Sequence, residues 1–184
     1  MYGLWIIIAI IVLIALWYIG TYNKLVGAKN ATDNSWADID VQLKRRYDLI
    51  PNLVETVKGY ASHEKNLFEN VTKARTAAMA ATTPAAHAAA ENMLSGTLKS
   101  LFAVAENYPD LKASQNFLGL QSELADAEDK IQAARRFYNA NVRDFNTMLQ
   151  TFPTNVVAGF MGFKSREFFE VADGAQREAP KVSF

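Results

Sequence analysis

The sequence predicts an all-α membrane protein: an N-terminal transmembrane helix followed by an elongated antiparallel bundle of three or four helices. Three observations predict it. Met1 to Tyr22 contains no Asp, Glu, Lys or Arg, and Leu4 to Leu16 is almost unbroken Ile, Leu, Val and Ala. Beyond it, apolar residues recur at steps of three and four, the period of one helix face. Alanine is abundant, whereas the 184 residues include only 9 Gly and 5 Pro, a composition typical of helical proteins.

The apolar stretch is long enough to be an anchor. About 20 apolar residues cross a ~30 Å hydrocarbon layer at ~1.5 Å per residue. Tyr2 and Trp5 lie at one end, and Trp17, Tyr18 and Tyr22 at the other, as in an interfacial aromatic belt. A cleaved signal peptide is the competing reading. It wants a basic lead-in and a small-residue cleavage site; no basic residue precedes the run, and Ile19-Gly20-Thr21-Tyr22 is a poor site. The predicted organisation is an anchor over 1–22, a cytoplasmic helical domain over 23–171 and a C-terminal tail over 172–184.

Charge orients the anchor. Lys24 and Lys29 follow the span closely, and Lys44, Arg45 and Arg46 lie further on. The positive-inside bias then places the N-terminus outside and the domain in the cytoplasm, which for a bacterial source means the inner membrane. The absence of cysteine fits a reducing compartment but is equally compatible with the outside. The 19 basic and 19 acidic residues balance, so nothing draws nucleic acid generally, and that class of partner is set aside.

The first helix of the domain begins near Thr32 or Ser35, or runs straight on from the span. Its seam is Trp36, Ile39, Leu43, Tyr47, Ile50, Val54, Val57, Ala61, Phe68 and Val71. It is expected to continue to Thr76–Thr83, weakened slightly at Gly59 and kinked near Tyr47 to Pro51, where proline removes a hydrogen bond. Thr82 or Thr83 caps the second helix, with Pro84 in its first turn. Its seam is Ala90, Leu94, Leu98, Leu101, Ala105 and Tyr108, and Tyr108-Pro109-Asp110 stops it. Ser114 caps the third helix. Phe117, Leu120, Leu124, Ala127, Ile131, Ala134, Tyr138, Val142, Phe145 and Met148 or Leu149 form the most regular seam in the chain. Phe152-Pro153 ends it, and Thr154 caps a short fourth segment, Asn155 to Phe163. Short loops between amphipathic helices argue an antiparallel arrangement.

Several motifs then stand in a recognisable order: Arg45-Arg46-Tyr47-Asp48-Leu49-Ile50-Pro51-Asn52-Leu53-Val54, Val57-Lys58-Gly59-Tyr60-Ala61-Ser62-His63-Glu64, Ala74-Arg75, Glu106-Asn107-Tyr108-Pro109-Asp110-Leu111-Lys112, Arg135-Arg136-Phe137-Tyr138-Asn139, Asn146, Phe152-Pro153 and the terminal Pro180-Lys181-Val182-Ser183-Phe184. The chain resembles the bacterial LemA family along nearly its whole length, anchor included. The resemblance implies a membrane-anchored antiparallel helical bundle with an extracytoplasmic N-terminus, and implies no reaction and no cofactor. By the same resemblance, a LemA-type protein of magnetosome membranes is associated with membrane invagination, and other members are encoded near TPM-domain proteins or membrane proteases. These are analogies of family rather than of site.

The residues able to do chemistry each have a bland reading. His63 and Glu64 are adjacent and diverge by ~100° around a helix. His87 and Glu91 share a face and read as an exposed helix pair. Neither histidine sits in a metal-ligand spacing. Glu64 falls on the apolar stripe; Arg135, Asn139 and Asn146 edge the third seam. These polar residues are expected to fix helix register rather than form a catalytic cluster. Tyr47 to Pro51 reads as a structural kink before a binding surface, and Lys44-Arg45-Arg46 as a solvated face. Val156 to Phe163, with Phe168, Phe169, Lys164 and Arg166 nearby, has three open destinations: a membrane interface, the open end of the bundle, or a neighbouring subunit. No catalytic, cofactor-binding or metal residue is assigned. The expected function is a self-associating membrane scaffold or adaptor whose partners are the lipid bilayer, further copies of itself and an unidentified membrane protein. The alternatives are an accessory factor of a membrane protease or transporter, and an enzyme with an unrecognised bundle site.

Overall fold

A computed structural model describes residues 2–170 of the chain; the expected tail at 172–184 lies outside the described residues. The fold is all-α with bundle-like packing. Among the described residues it comprises α1 (Tyr2–Lys58), α2 (Lys65–Ala80), α3 (Pro84–Ala105), α4 (Pro109–Lys112), α5 (Gln115–Gln150) and α6 (Thr154–Phe160). These form two compact units. The first takes the chain up to Ile39 together with Ala134–Glu167, and the second takes Asp40–Ala133 and the chain from Phe168.

Of the starts left open for the first helix, the uninterrupted one holds: α1 runs from Tyr2 through the apolar stretch and on to Lys58. Its most apolar 18-residue window has a mean hydropathy of 2.6 and buries none of its residues within the chain. That length and composition fit a single-pass membrane protein.

Pro51 lies inside α1, and the helix continues past it. The real break comes at Gly59, where one continuous helix to Thr76–Thr83 was expected. The Tyr60 and Ala61 N–H groups both turn back to the Val57 carbonyl, at 3.0 and 2.9 Å, and close the helix end. Glycine is the least helix-favouring residue after proline, so Gly59 ends α1 rather than merely softening it. Glu64 stands at the start of α2, and its side chain makes no capping bond.

The second helical start matches expectation. Thr83 is extended, its hydroxyl accepts from the Ala86 N–H, and Pro84 opens α3; such a cap is worth ~1 kcal/mol. Pro109 does end the second seam, but it also nucleates the single turn α4. Ser114 directly precedes α5. Thr154 is the first residue of α6 rather than its cap, and Pro153 holds the cap position without a side-chain bond. The fourth segment ends at Phe160 rather than Phe163, because Gly162 adopts φ 71° and turns the chain.

In the first unit, Leu25, Phe145, Val157 and Ala158 form a buried cluster, flanked by Tyr18, Met148, Leu149 and Phe163. Trp36 packs edge-on against Tyr138 at 5.3 Å between ring centroids. Thr32 and Ser35 are buried too; each hydroxyl donates to a carbonyl of its own helix, Ala28 at 3.0 Å and Thr32 at 2.9 Å. In the second unit, Leu43, Ile50, Leu53 and Val57 of α1, Leu94, Leu98 and Leu101 of α3, and Leu124, Ala127 and Ile131 of α5 are buried.

Leu124 and Ile131 keep only 6% and 5% exposure. Replacing either with Ala is expected to cost about 2–5 kcal/mol, measured by chemical denaturation of the detergent-solubilised chain. Losses under ~1 kcal/mol at both positions would mean that this face of α5 is not core.

Candidate functional site

The densest polar cluster lies in the second unit, where charge was expected to be solvated. Arg46 belongs to α1 and retains 5% exposure. Leu43, Arg46, Tyr47 and Ile50 share one face at three- and four-residue steps, so the packing that buries the leucine and isoleucine also buries the guanidinium. Its Nη1 donates to Glu91 Oε2 on α3 at 2.8 Å. Its Nη2 donates to the Ser95 hydroxyl at 2.8 Å. Glu128 of α5 brings a second carboxylate to 2.9 Å from Nη1, an ion pair by proximity rather than a well-directed hydrogen bond. The other Glu91 oxygen accepts from the Tyr47 hydroxyl at 2.6 Å. Arg46, Tyr47, Glu91, Ser95 and Glu128 thus tie α1, α3 and α5 together.

Burial pushes the Glu91 carboxyl above the ordinary glutamate value; Arg46 and the Tyr47 hydrogen bond pull against it, and Glu128 adds to the rise. Burial also pushes the Tyr47 hydroxyl well above the usual tyrosine range, with the bond to Glu91 as the next cause. Tyr47 is therefore a permanent donor, which suits a structural lock better than a proton relay.

A second bond originates one turn further along. Pro51 has no N–H, so the Tyr47 carbonyl loses its usual helical donor four residues on. Arg75 of α2 supplies the replacement, its Nε donating to that carbonyl at 2.7 Å. The proline that the sequence marks as a kink position is thus also what frees an acceptor to which α2 attaches.

The expected site residues fare differently. His87 and Glu91 are buried, at 8% and 4% exposure, rather than an exposed pair; Glu91 meets its partners across the core. Within Lys44-Arg45-Arg46, Lys44 is exposed, Arg45 is half-exposed and pairs with Asp126 at 2.9 Å, and Arg46 overturns the solvated reading. Hydrogen bonds from Lys130 and the charges of Lys130 and Arg45 hold the Asp126 carboxyl below its usual range. His63 is exposed and Glu64 half-buried at the turn between α1 and α2. Arg135 and Asn139 are half-buried on α5. Asn146 does not link helices. It clamps the extended segment after α6, accepting from the Arg166 N–H at 2.8 Å and donating to the Arg166 carbonyl at 2.9 Å.

Val156 to Phe163 divides between destinations. Val157 and Ala158 are buried and Phe163 packs on them, whereas Val156, Phe160 and Met161 are exposed. Phe169 is 1% exposed, so it does not contribute to an aromatic surface patch. The sequence did carry a signal for the missed residues. Glu91 precedes Leu94 by three and Leu98 by seven, and Arg46 follows Leu43 by three. Each is a charge on an apolar seam.

Comparison with known proteins supplies the relationships. The LemA family profile matches residues 35–184. Protein LemA of Metamycoplasma hominis is 29% identical over 160 residues, covering 85% of this chain and 72% of the relative. Magnetosome proteins MamQ 1 and MamQ 2 of Paramagnetospirillum magneticum are each 26% identical over 175 residues, covering 81% of this chain. Magnetosome protein MamQ of Magnetospirillum gryphiswaldense is 24% identical over 174 residues. The chain spans 64% of the length of the MamQ relatives. None of these names is that of an enzyme.

Two outcomes follow from the network. Glu91→Ala leaves the Arg46 charge buried without its closest acceptor and is expected to cost about 3–5 kcal/mol, read from thermal unfolding in detergent. Arg75→Ala is expected to cost about 1–3 kcal/mol by orphaning the Tyr47 carbonyl, and much less in a Pro51→Ala background, where a new backbone N–H at position 51 takes over. Equal costs in both backgrounds would separate Arg75 from the proline.

Proposed function

The chain belongs to the LemA family, and from that premise we propose that it is a membrane-anchored helical scaffold or adaptor. In this reading it self-associates, organises membrane or membrane-protein partners, and carries out no catalytic step. The observation that carries the proposal is the continuity of α1. The same helix that fits a membrane span supplies Leu25 and Ile39 to the packed helices without a flexible linker. An anchor built into the core transmits position and orientation, which a scaffold needs and a tethered enzyme does not. The interior polar groups support the same view, because Arg46, Tyr47, Glu91 and Ser95 are spent on one another.

Self-association draws support from the balanced charge, which offers no net repulsion between copies, and from exposed apolar side chains outside the anchor such as Val41, Met93 and Phe137. Copies inserted in one membrane point the same way, so a cyclic homo-oligomer with parallel anchors is the symmetry proposed. Two of the relatives' names refer to the magnetosome, in keeping with work at a membrane. The proposed location is the bacterial inner membrane, with the N-terminus outside and the helical domain, from residue 23, in the cytoplasm.

Native mass measurement of the chain in mild detergent tests assembly. A closed oligomer is expected at micromolar concentration. A clean monomer would defeat self-association, and a monomer that co-purifies stoichiometrically with a membrane protease or transporter would favour the accessory role. For topology, Asp38→Cys provides an exposed reporter in a chain without cysteine. It is expected to resist a membrane-impermeant maleimide in intact cells and to react after lysis. Ready labelling of intact cells would reverse the orientation.

A further inference from the structure

The first unit contains a cleft of about 550 Å³ beside the end of the anchor. One wall is α1. Tyr22, Val26 and Lys29 line it at steps of four and three, and so share one helix face. The other wall is the segment after α6, where Gly162 turns the chain and Phe163 to Arg166 run alongside. We propose that this cleft binds the phosphate group of an anionic phospholipid, in the leaflet where α1 leaves the membrane.

The cleft has the charge for this ligand. Lys29 and Lys164 are exposed, and neither is paired with a carboxylate among the described residues. Arg166 reaches Asp33 at 2.6 Å and so adds a neutralised pair at the rim. Two free ammonium groups facing a common space suit a phosphate, which accepts several charge-assisted hydrogen bonds at once. The rim is also held in place. Both backbone groups of Arg166 are occupied by Asn146, and the φ of 71° at Gly162 favours glycine.

Depth favours a lipid over a soluble ion. Tyr22 closes the charge-free stretch, and the seven residues from there to Lys29 rise ~10 Å. A headgroup layer is roughly 5–8 Å thick on each side of the hydrocarbon. The apolar floor at Tyr22 and Val26 therefore meets the hydrocarbon edge while the lysines stand near phosphate level. An apolar floor serves an acyl chain and does nothing for a free phosphate. The neighbouring helix agrees. α6 packs through Val157 and Ala158 onto Leu25, three residues past Tyr22, and leaves Phe152, Val156 and Phe160 at 77%, 60% and 85% exposure. At that depth these side chains meet lipid rather than bulk water.

The proposal rests on α1 spanning the bilayer, which flotation with neutral phosphatidylcholine vesicles checks separately. The full chain in mild detergent is titrated with short-chain phosphatidylglycerol, with phosphatidylcholine of equal chain length, and with inorganic phosphate. Bound molecules are counted by native mass spectrometry. Phosphatidylglycerol is expected to bind preferentially. Its affinity is expected to fall roughly tenfold or more in the Lys29→Gln, Lys164→Gln double variant, to recover in the Lys→Arg pair, and to hold in Lys24→Gln, whose lysine is nearer the membrane but outside the cleft. Equal loss in Lys24→Gln would mean general surface charge and overturn the site. Equal binding of the two lipids, or binding of inorganic phosphate alone, would overturn the lipid assignment. A chain that floats yet shows no lipid preference sinks the cleft alone, whereas one that fails to float sinks the anchor.

Discussion

A cation in a protein interior must be neutralised where it lies, and Arg46 imposes that condition on the second unit. Its guanidinium is buried, so Glu91, Ser95 and Glu128 must come to it from α3 and α5. The apolar seams alone tolerate several alignments, because a repeat of three and four maps onto itself after a slide of two turns. The ion pair does not tolerate such a slide. A mispaired alignment would leave Arg46 or Glu91 buried without its partner, at a cost of several kcal/mol. The pair need not add stability over a well-packed leucine in its place. Its effect is to make one alignment far better than its competitors.

Tyr47 and Pro51 extend the same logic by a different means. The proline removes a donor from α1, and the orphaned carbonyl becomes an attachment point for Arg75. The tyrosine contributes its hydroxyl to Glu91 and its carbonyl to Arg75. One residue thus joins α1 to both α3 and α2, and a short run of sequence organises most of the second unit. In the first unit, backbone clamps serve in place of charge. Tyr138 donates to the Glu167 carbonyl at 2.8 Å and Asn146 holds Arg166, so the segment after α6 is fastened to α5.

What could be read in advance follows physical period. The anchor and the third seam were legible because burial imposes the 3.6-residue repeat on many residues at once, and Phe117, Leu124, Ala127, Ile131, Tyr138, Val142 and Phe145 are indeed buried. The Thr83 cap was legible because its chemistry is local. Gly59 was underestimated because a single glycine weakens a helix by only ~1 kcal/mol, and whether that ends it depends on the packing of the next element. Arg46 and Glu91 were misjudged for another reason. A charged residue is solvated unless a partner waits in the core, and the partner lies 45 positions away in sequence. The Asn146 clamp was invisible because it recognises backbone, which leaves no mark on residue type.

The continuity of α1 has a consequence for rotational phase. Each residue advances a helix by ~100°, and no flexible joint interrupts α1 between Trp17 in the span and Leu25 in the packed cluster. The azimuth of every side chain in the membrane is therefore geared to the face that Leu25 buries against α6. One extra residue between Tyr22 and Leu25 would leave the anchor as apolar as before and the core as well packed as before, yet it would turn the anchor through more than a quarter of a revolution. The span is indexed, like a key cut on the same shank as its handle, and the side it offers to a neighbour in the bilayer is decided by packing outside it.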